Sequence, residues 1–290
     1  MTATLDPGIL SSQLPLPLLV AGLSNLELGL LSFLALVIGL AGGIVGIALG
    51  VIRLPSMTLI GVDPLMAAGT NLAVTVLGAI AGSWPAILER RVVGRIALVM
   101  GAPAIGGSFV GARYADVVPT WVLLLMVALF LAWSGLLLVV RAAQELHNMH
   151  DSSFIPEHGG RGNLTRRTVA RETGIGVVIG VIGGAAGVAL GVLRMPAMLH
   201  ILKMEPGLAA GTNLMVTVLV GTAGFAGHAL GGRIDWPLLA VIGLVSMFGM
   251  YVGSRLTHRF DATKLRLFIG IVFLVMVPVM IWDVISRATQ

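Results

Sequence analysis

The sequence predicts an all-α polytopic membrane protein, with about eight transmembrane helices in two duplicated four-helix repeats that contain interrupted half-helices. Composition, long apolar stretches and an internal duplication lead to this fold class. Of the 290 residues, 57% are hydrophobic and 11% are charged, and the mean hydropathy is +1.00. Soluble domains carry roughly 25% charged residues. Too few polar residues are present to cover a soluble core of this size, so the apolar surface must face a bilayer.

Spans of about 20 apolar residues are expected for helices that cross a membrane. After the first and fifth spans come the short apolar pieces PSMTLI and PAMLHIL, each of which reads as a half-helix after a break. The eight predicted spans are 28–50, 65–84, 95–113, 119–141, 172–192, 207–230, 236–255 and 263–285. The chain therefore divides into a lead-in (1–27), a first membrane repeat (28–141), a polar inter-repeat loop (142–171) and a second membrane repeat (172–286).

The two halves are copies of one another. Residues 42–55 match 183–196 at 9 of 14 positions, and 63–77 match 205–219 at 11 of 15. Duplication with helix breaks at matching positions indicates a transporter whose site lies between the repeats. Four spans per half make the repeats parallel, whereas a half-helix that completes a fifth crossing makes them inverted. The distribution of Lys and Arg favours a cytoplasmic loop at 142–171 and cytoplasmic termini.

An arginine stands at the same place in each copy, in VIRLP and VLRMP. A guanidinium at hydrocarbon depth is costly, which makes Arg53 and Arg194 candidate functional residues. Proline suits the first turn of a helix, so each arginine is predicted to lie just before the N-terminus of a half-helix, where an anion binds readily. We expect one or both arginines to hold an anionic substrate, and the same substitutions at the two positions to have similar effects. The alternative is snorkelling to the interface, or pairing with carbonyls freed by the break.

The segment AAGTNL supplies a second set of polar groups in each half. Side chains four residues apart share one face of a helix, so these groups can line the same cavity as the arginines. The alternative is hydrogen bonding between helices, which polar groups in lipid require. The candidate substrate-binding residues of this set are Thr70, Asn71, Thr75, Thr212, Asn213 and Thr217.

Three titratable residues are candidates for proton coupling. Asp63 and Glu205 each precede a proline, a pattern that also fits an acidic N-cap followed by proline at the first helical position. His228 lies inside the sixth span and can titrate near neutral pH. The alternative for His228 is a structural, hydrogen-bonded histidine.

Other classes of function receive no support from the sequence. The absence of cysteine excludes disulfides, thiolate metal sites and cysteine nucleophiles. No nucleotide-binding or hydrolase motif is present, and we expect no catalytic residue, metal or cofactor. The net charge of +5 comes mainly from Lys and Arg in loops, which favours membrane topology over nucleic-acid binding. The oligomeric state stays open.

The duplicated Gly-rich helices that end near proline, each followed by AAGTNL, resemble the TauE/SafE family of sulfite exporters, also called the toluene sulfonate uptake permease family. The resemblance covers nearly all of 28–286. It implies a multi-pass protein of the bacterial inner membrane that transports small sulfur-containing anions such as sulfite, thiosulfate or sulfonates. Transport of another small organic anion stays open, as does a role as a membrane enzyme or partner subunit.

Overall fold

The computed structural model describes residues 23–148, 166–188, 191–257, 259 and 262–288, and the lead-in before residue 23 and the loop over 149–165 lie outside it. Within these ranges the chain is helical and contains no strand. A 3₁₀ turn follows α4 and a π-helical turn follows α7. The helices are α1 (Asn25–Val45), α2 (Gly50–Leu59), α3 (Pro64–Leu88), α4 (Gly94–Arg113), α5 (Thr120–Asn148), α6 (Arg166–Ala185), α7 (Gly191–Pro196), α8 (Pro206–Leu230), α9 (Trp236–Arg255) and α10 (Ala262–Ala288).

Seven of the described helices are long and apolar enough to cross a membrane: α1, α3, α4, α5, α8, α9 and α10. The fifth predicted span differs from the others. Its helix, α6, has 20 residues and begins with the polar sequence RRTVARE, and within it Gly176–Ala185 is a shorter apolar stretch. The all-α polytopic fold is confirmed.

The helix breaks lie earlier in the chain than the RxP motifs predict. Helix α1 ends at Val45, and Gly46 adopts the left-handed conformation with φ 73°. Helix α2 then begins at Gly50, so Arg53 is its fourth residue and Pro55 lies inside it. The predicted position of the arginine before the half-helix is therefore wrong. A proline at the sixth helical position removes only one backbone hydrogen bond, and α2 continues past it. The left-handed conformation, which glycine adopts readily, ends the helix at Gly46 instead.

The second half breaks in a corresponding way. Helix α6 ends at Ala185, Gly187 has φ 67°, and α7 begins at Gly191 with Arg194 as its fourth residue. At about 1.5 Å per residue, the ten residues of α2 cover about half of a 30 Å hydrocarbon core. The arginines that the two short helices carry are both buried within the protein.

Helices from the two halves of the chain pack closely against each other. Helix α1 packs mainly on α9, α6 packs on α4, and α3 and α8 contact one another between them. Glycines permit this approach: a Cβ on Gly43 would meet the backbone of α9, and a Cβ on Gly184 would meet the backbone of α4. Because lipid provides no hydrophobic driving force between helices, close contacts of small residues stabilise this packing instead.

Each helix break rests against the AAGTNL segment of the other half. A Cβ on Gly46 would collide with Ala210, and a Cβ on Gly187 would collide with Ala68. The paired alanines of AAGTNL therefore leave just enough room for the broken backbone. This contact places the polar residues of α3 and α8 beside the half-helices that carry the arginines.

Candidate functional site

Arg53 is 2% exposed and is held by neutral side chains. Its Nε donates to Oδ1 of Asn71 at 3.0 Å, and its Nη2 donates to Oγ1 of Thr75 at 3.4 Å. Both acceptors lie on α3, one helical turn apart. Nη1 donates to Oγ of Ser246 on α9 at 3.1 Å. The guanidinium thus joins the half-helix α2 to one helix of each half.

Arg194 has a related environment in the second half. Its Nη2 donates to Oγ1 of Thr217 at 3.2 Å, and its Nε donates to Oδ1 of Asn213 at 3.5 Å. Both acceptors lie on α8, again one turn apart. Arg194 is 7% exposed, while Asn213 and Thr217 are fully buried. An asparagine and a threonine one turn apart therefore accept from both arginines.

Among the described residues, neither arginine has a carboxylate partner. The ion pairs found there join Arg91 with Glu89, Arg233 with Asp116, and Arg266 with Glu145. Arg53 and Arg194 take part in none of them. A buried guanidinium whose partners among the described residues are amide and hydroxyl oxygens has no opposite charge beside it, an environment that favours an anion electrostatically.

The two asparagines connect the halves. The amide of Asn71 donates from Nδ2 to the carbonyl oxygen of Gly187, and that of Asn213 donates to the carbonyl oxygen of Gly46, both at 2.9 Å. Each amide therefore satisfies a carbonyl at the helix break of the opposite half. A continuous path of hydrogen bonds runs from each arginine, through an asparagine, to the other break.

Thr70 and Thr212 lie away from the arginines. The hydroxyl of Thr70 accepts from the backbone N–H of Asp235 at 2.9 Å, and that of Thr212 accepts from Val93 at 3.0 Å. Asp235 and Val93 directly precede α9 and α4. These threonines thus hold the starts of two helices, whereas Asn71, Thr75, Asn213 and Thr217 contact the guanidinium groups.

His228 is completely buried on α8. Its Nε2 lies 2.9 Å from the carbonyl oxygen of Gly184, close to the end of α6. Its Nδ1 has no hydrogen-bond partner among the described residues. The histidine therefore touches the second helix break rather than either arginine.

Asp63 and Glu205 are exposed residues at the starts of α3 and α8. Asp63 Oδ1 accepts from the backbone N–H groups of Leu65 and Met66 at 2.9 and 3.1 Å, which is N-cap geometry. Glu205 occupies the same position of α8 without a side-chain cap hydrogen bond. Neither carboxylate is among the arginines' hydrogen-bond partners in the described part of the chain.

Sequence reasoning did not identify Ser246, because a single serine on α9 belongs to no recognisable pattern. It also did not identify Arg91 and Arg233, which are buried at matching places in the loops before α4 and α9. Arg91 donates to the carbonyl oxygen of Ser254, and Arg233 donates to that of Ala112. Arginine at a helix C-terminus satisfies carbonyls that the helix leaves free. Their equal spacing in the two copies is the signal that could have revealed them.

The fold and these contacts define a multi-pass helical membrane protein with two buried arginines that have no carboxylate partner in the described part of the chain. A family model described as "Sulfite exporter TauE/SafE" matches residues 31–280. The chain belongs to this family, as its Gly-rich breaks and AAGTNL segments predict. It is a multi-pass protein of the bacterial plasma membrane.

Bacterial relatives are similar over most of their length. The chain is 24% identical to the probable membrane transporter protein YdhB of Bacillus subtilis over 200 residues, covering 69% of this chain and 78% of YdhB. It is 22% identical to YunE of the same organism over 256 residues, covering 84% and 94%. A probable membrane transporter protein of Xylella fastidiosa is 25% identical over 256 residues, covering 83% and 93%. No solved structure matches the chain.

Proposed function

We propose that this protein is a secondary transporter, an exporter or permease, of small sulfur-containing anions such as sulfite, thiosulfate or sulfonates. The observation that carries the proposal is the pair of buried arginines whose partners among the described residues are all neutral. Membership of a sulfite exporter family supports the substrate class. The anion binds between the two halves and supplies the negative charge that the described side chains around the arginines do not.

A planar guanidinium can present two parallel N–H donors to two oxygens of one oxyanion. In the present arrangement the donors of Arg194 point to an amide oxygen and a hydroxyl oxygen, both uncharged. An oxyanion competes well with these acceptors, because its negative charge adds an ionic attraction that the neutral amide and hydroxyl oxygens do not offer the guanidinium. Binding therefore exchanges neutral partners for a charged one.

This exchange links the substrate to the contact between the halves. Asn213 accepts from Arg194 and at the same time donates to the carbonyl oxygen of Gly46. When the anion takes over the guanidinium donors, the asparagine loses one of its two anchors. The break in α1 is then held less firmly, which allows the halves to shift around the site, as transport by alternating access requires.

Proteoliposomes made with the purified chain alone test this proposal. We expect saturable uptake of ³⁵S-labelled sulfite, thiosulfate or a small sulfonate, with unlabelled substrate competing for uptake. Liposomes without protein and liposomes with a heat-inactivated sample are the controls. Saturable uptake of an unrelated organic anion, but of none of the three sulfur anions, would contradict the substrate class. Chemical conversion of the substrate without uptake would indicate a membrane enzyme instead.

A further inference from the structure

The two arginine environments differ in one respect that the duplicated sequence does not suggest. A small cavity lies beside Arg194. Its walls include Ser108 of α4, Leu72 of α3, Val188, and the glycines 183 and 184 at the end of α6. It has room for about one water molecule. Arg194 is part of its lining, so a ligand that enters this space meets that residue.

The corresponding place near Arg53 is filled by a methionine. A Cβ on Gly180 would lie 3.0 Å from the backbone N of Ser108, and one on Gly39 would lie 3.1 Å from that of Met250. Met250 therefore occupies on α9 the position that Ser108 occupies on α4. Its side chain reaches Gly82 and Gly42, where added Cβ atoms would lie 2.6 and 3.2 Å from it. It also packs against Ala48 and Leu214, and Leu214 is the sequence counterpart of the cavity residue Leu72.

The third hydrogen bond of Arg53 strengthens this difference. Ser246 accepts from Nη1 of Arg53, whereas its sequence counterpart on α4 is Ala104, which has no polar side-chain atom. Within the described residues, Arg53 therefore has three side-chain acceptors and Arg194 has two. The guanidinium of Arg53 is therefore held by three acceptors, whereas that of Arg194 is held by two and its residue lines a cavity.

We propose that the anion binds on the Arg194 side, in the cavity beside Ser108, and that Arg53 is a positioning residue that ties α2 to α3 and α9. This inference rests on the proposed transport function. The Ser108 hydroxyl is placed to donate to an anion oxygen and so contributes to substrate specificity. Because the cavity is smaller than an oxyanion, its glycine wall at the end of α6 must move outward when the substrate binds.

A matched pair of variants tests this assignment. Ser108→Met fills the cavity, and Met250→Leu is its volume-conserving control in the other half. Met250 already packs beside Gly82, so a methionine beside the counterpart Gly224 has a precedent in this fold. We expect Ser108→Met to raise the Kd for sulfite, thiosulfate or a small sulfonate at least about tenfold, since it removes the space and a donor. Met250→Leu should stay within about twofold of wild type.

Two further measurements keep the proposal testable if Ser108→Met does not fold. Ser108→Ala should raise the Kd about three- to tenfold, as expected for one lost hydrogen bond. Arg194→Lys should raise it more than Arg53→Lys, with folding of each variant checked by size-exclusion chromatography and thermal melting. Equal losses from the two lysine variants, or wild-type affinity in folded Ser108→Met, would overturn the assignment while leaving the proposed transport intact. Failure of wild-type protein to bind any of the three anions would overturn both.

Discussion

At the residue scale, the arginines and asparagines form a single unit in each half. The asparagine accepts from the guanidinium through Oδ1 and donates to the opposite break through Nδ2. Both functions of its amide are used, so no residue with a simpler side chain can replace it. Asn71 and Asn213 can therefore line a cavity, as expected, and also form hydrogen bonds between helices, which is the alternative.

The first prediction concerns Asn213. Asn213→Leu removes the acceptor for Arg194 and leaves the buried carbonyl of Gly46 without its side-chain donor. We expect a loss of about 1–3 kcal/mol in the free energy of unfolding, which is typical of a buried polar group left unsatisfied. Asn25→Leu, at an exposed position, is the control and should change stability by less than about 0.5 kcal/mol. Denaturant titration in detergent measures both, and equal stabilities would show that the amide does not hold the break.

The second prediction concerns Arg194 and depends on the proposed function. Arg194→Lys keeps the charge but loses the planar pair of donors. We expect the variant to insert and fold, with the Kd for the transported anion raised about tenfold or more, as for a lost charge-assisted contact. Titration of the anion in a thermal-shift assay gives this value. Reduced yield with unchanged affinity would instead assign Arg194 a purely structural role.

At the element scale, most helix starts could be predicted, but the breaks and several C-terminal ends could not. Apolar stretches and flanking Glu-Pro or polar residues define α4, α8 and α9 to within a residue of the predicted bounds. The sequence pattern predicts that the RxP motif interrupts the first span, because proline is the usual helix breaker. In the structure Gly46 makes the break, and its left-handed φ depends on a close approach to α8 that no local pattern reveals.

The third prediction tests this role of Gly46. Gly46→Ala places a methyl group against Ala210 in addition to forcing a positive φ. Gly61→Ala is a matched control, because Gly61 has φ 93° but no atom within 4 Å of an added Cβ. We expect Gly46→Ala to lose about 1–3 kcal/mol more than Gly61→Ala, the usual cost of overpacking. Thermal melting of both proteins measures the difference. Similar melting temperatures would mean that the break does not need this contact.

At the scale of the whole molecule, the sequence predicts the membrane class, the family and the presence of paired polar sites. It does not predict that each helix of one half packs on a helix of the other, nor that Thr70 and Thr212 hold the starts of α9 and α4. Such contacts are set by tertiary packing between residues more than a hundred positions apart. The sequence also does not reveal the different surroundings of Ser108 and Met250, since each is one residue of an apolar helix.

The fourth prediction concerns the close packing of α4 on α6. Two adjacent glycines of α4 differ in their surroundings: a Cβ on Gly107 would meet the backbone of Val177 and Val181, whereas Gly106 has no atom within 4 Å of an added Cβ. Gly107→Leu should separate α4 from α6 and abolish a monodisperse folded product, because the added side chain meets backbone atoms of α6, which cannot move aside. Gly106→Leu should behave like wild type. Fluorescence-detected size-exclusion chromatography compares them, and a normal profile for Gly107→Leu would refute this packing.

The central claim is that a transported anion neutralises a buried arginine between the two halves of the chain. Uptake of ³⁵S-labelled sulfur anions into proteoliposomes, compared between wild-type protein and Arg194→Gln at equal amounts of folded protein, tests it most directly. Removing the charge should abolish saturable uptake, since the remaining amide and hydroxyl groups cannot compensate an anion in a poorly hydrated site. Saturable uptake by Arg194→Gln with wild-type affinity would contradict the account.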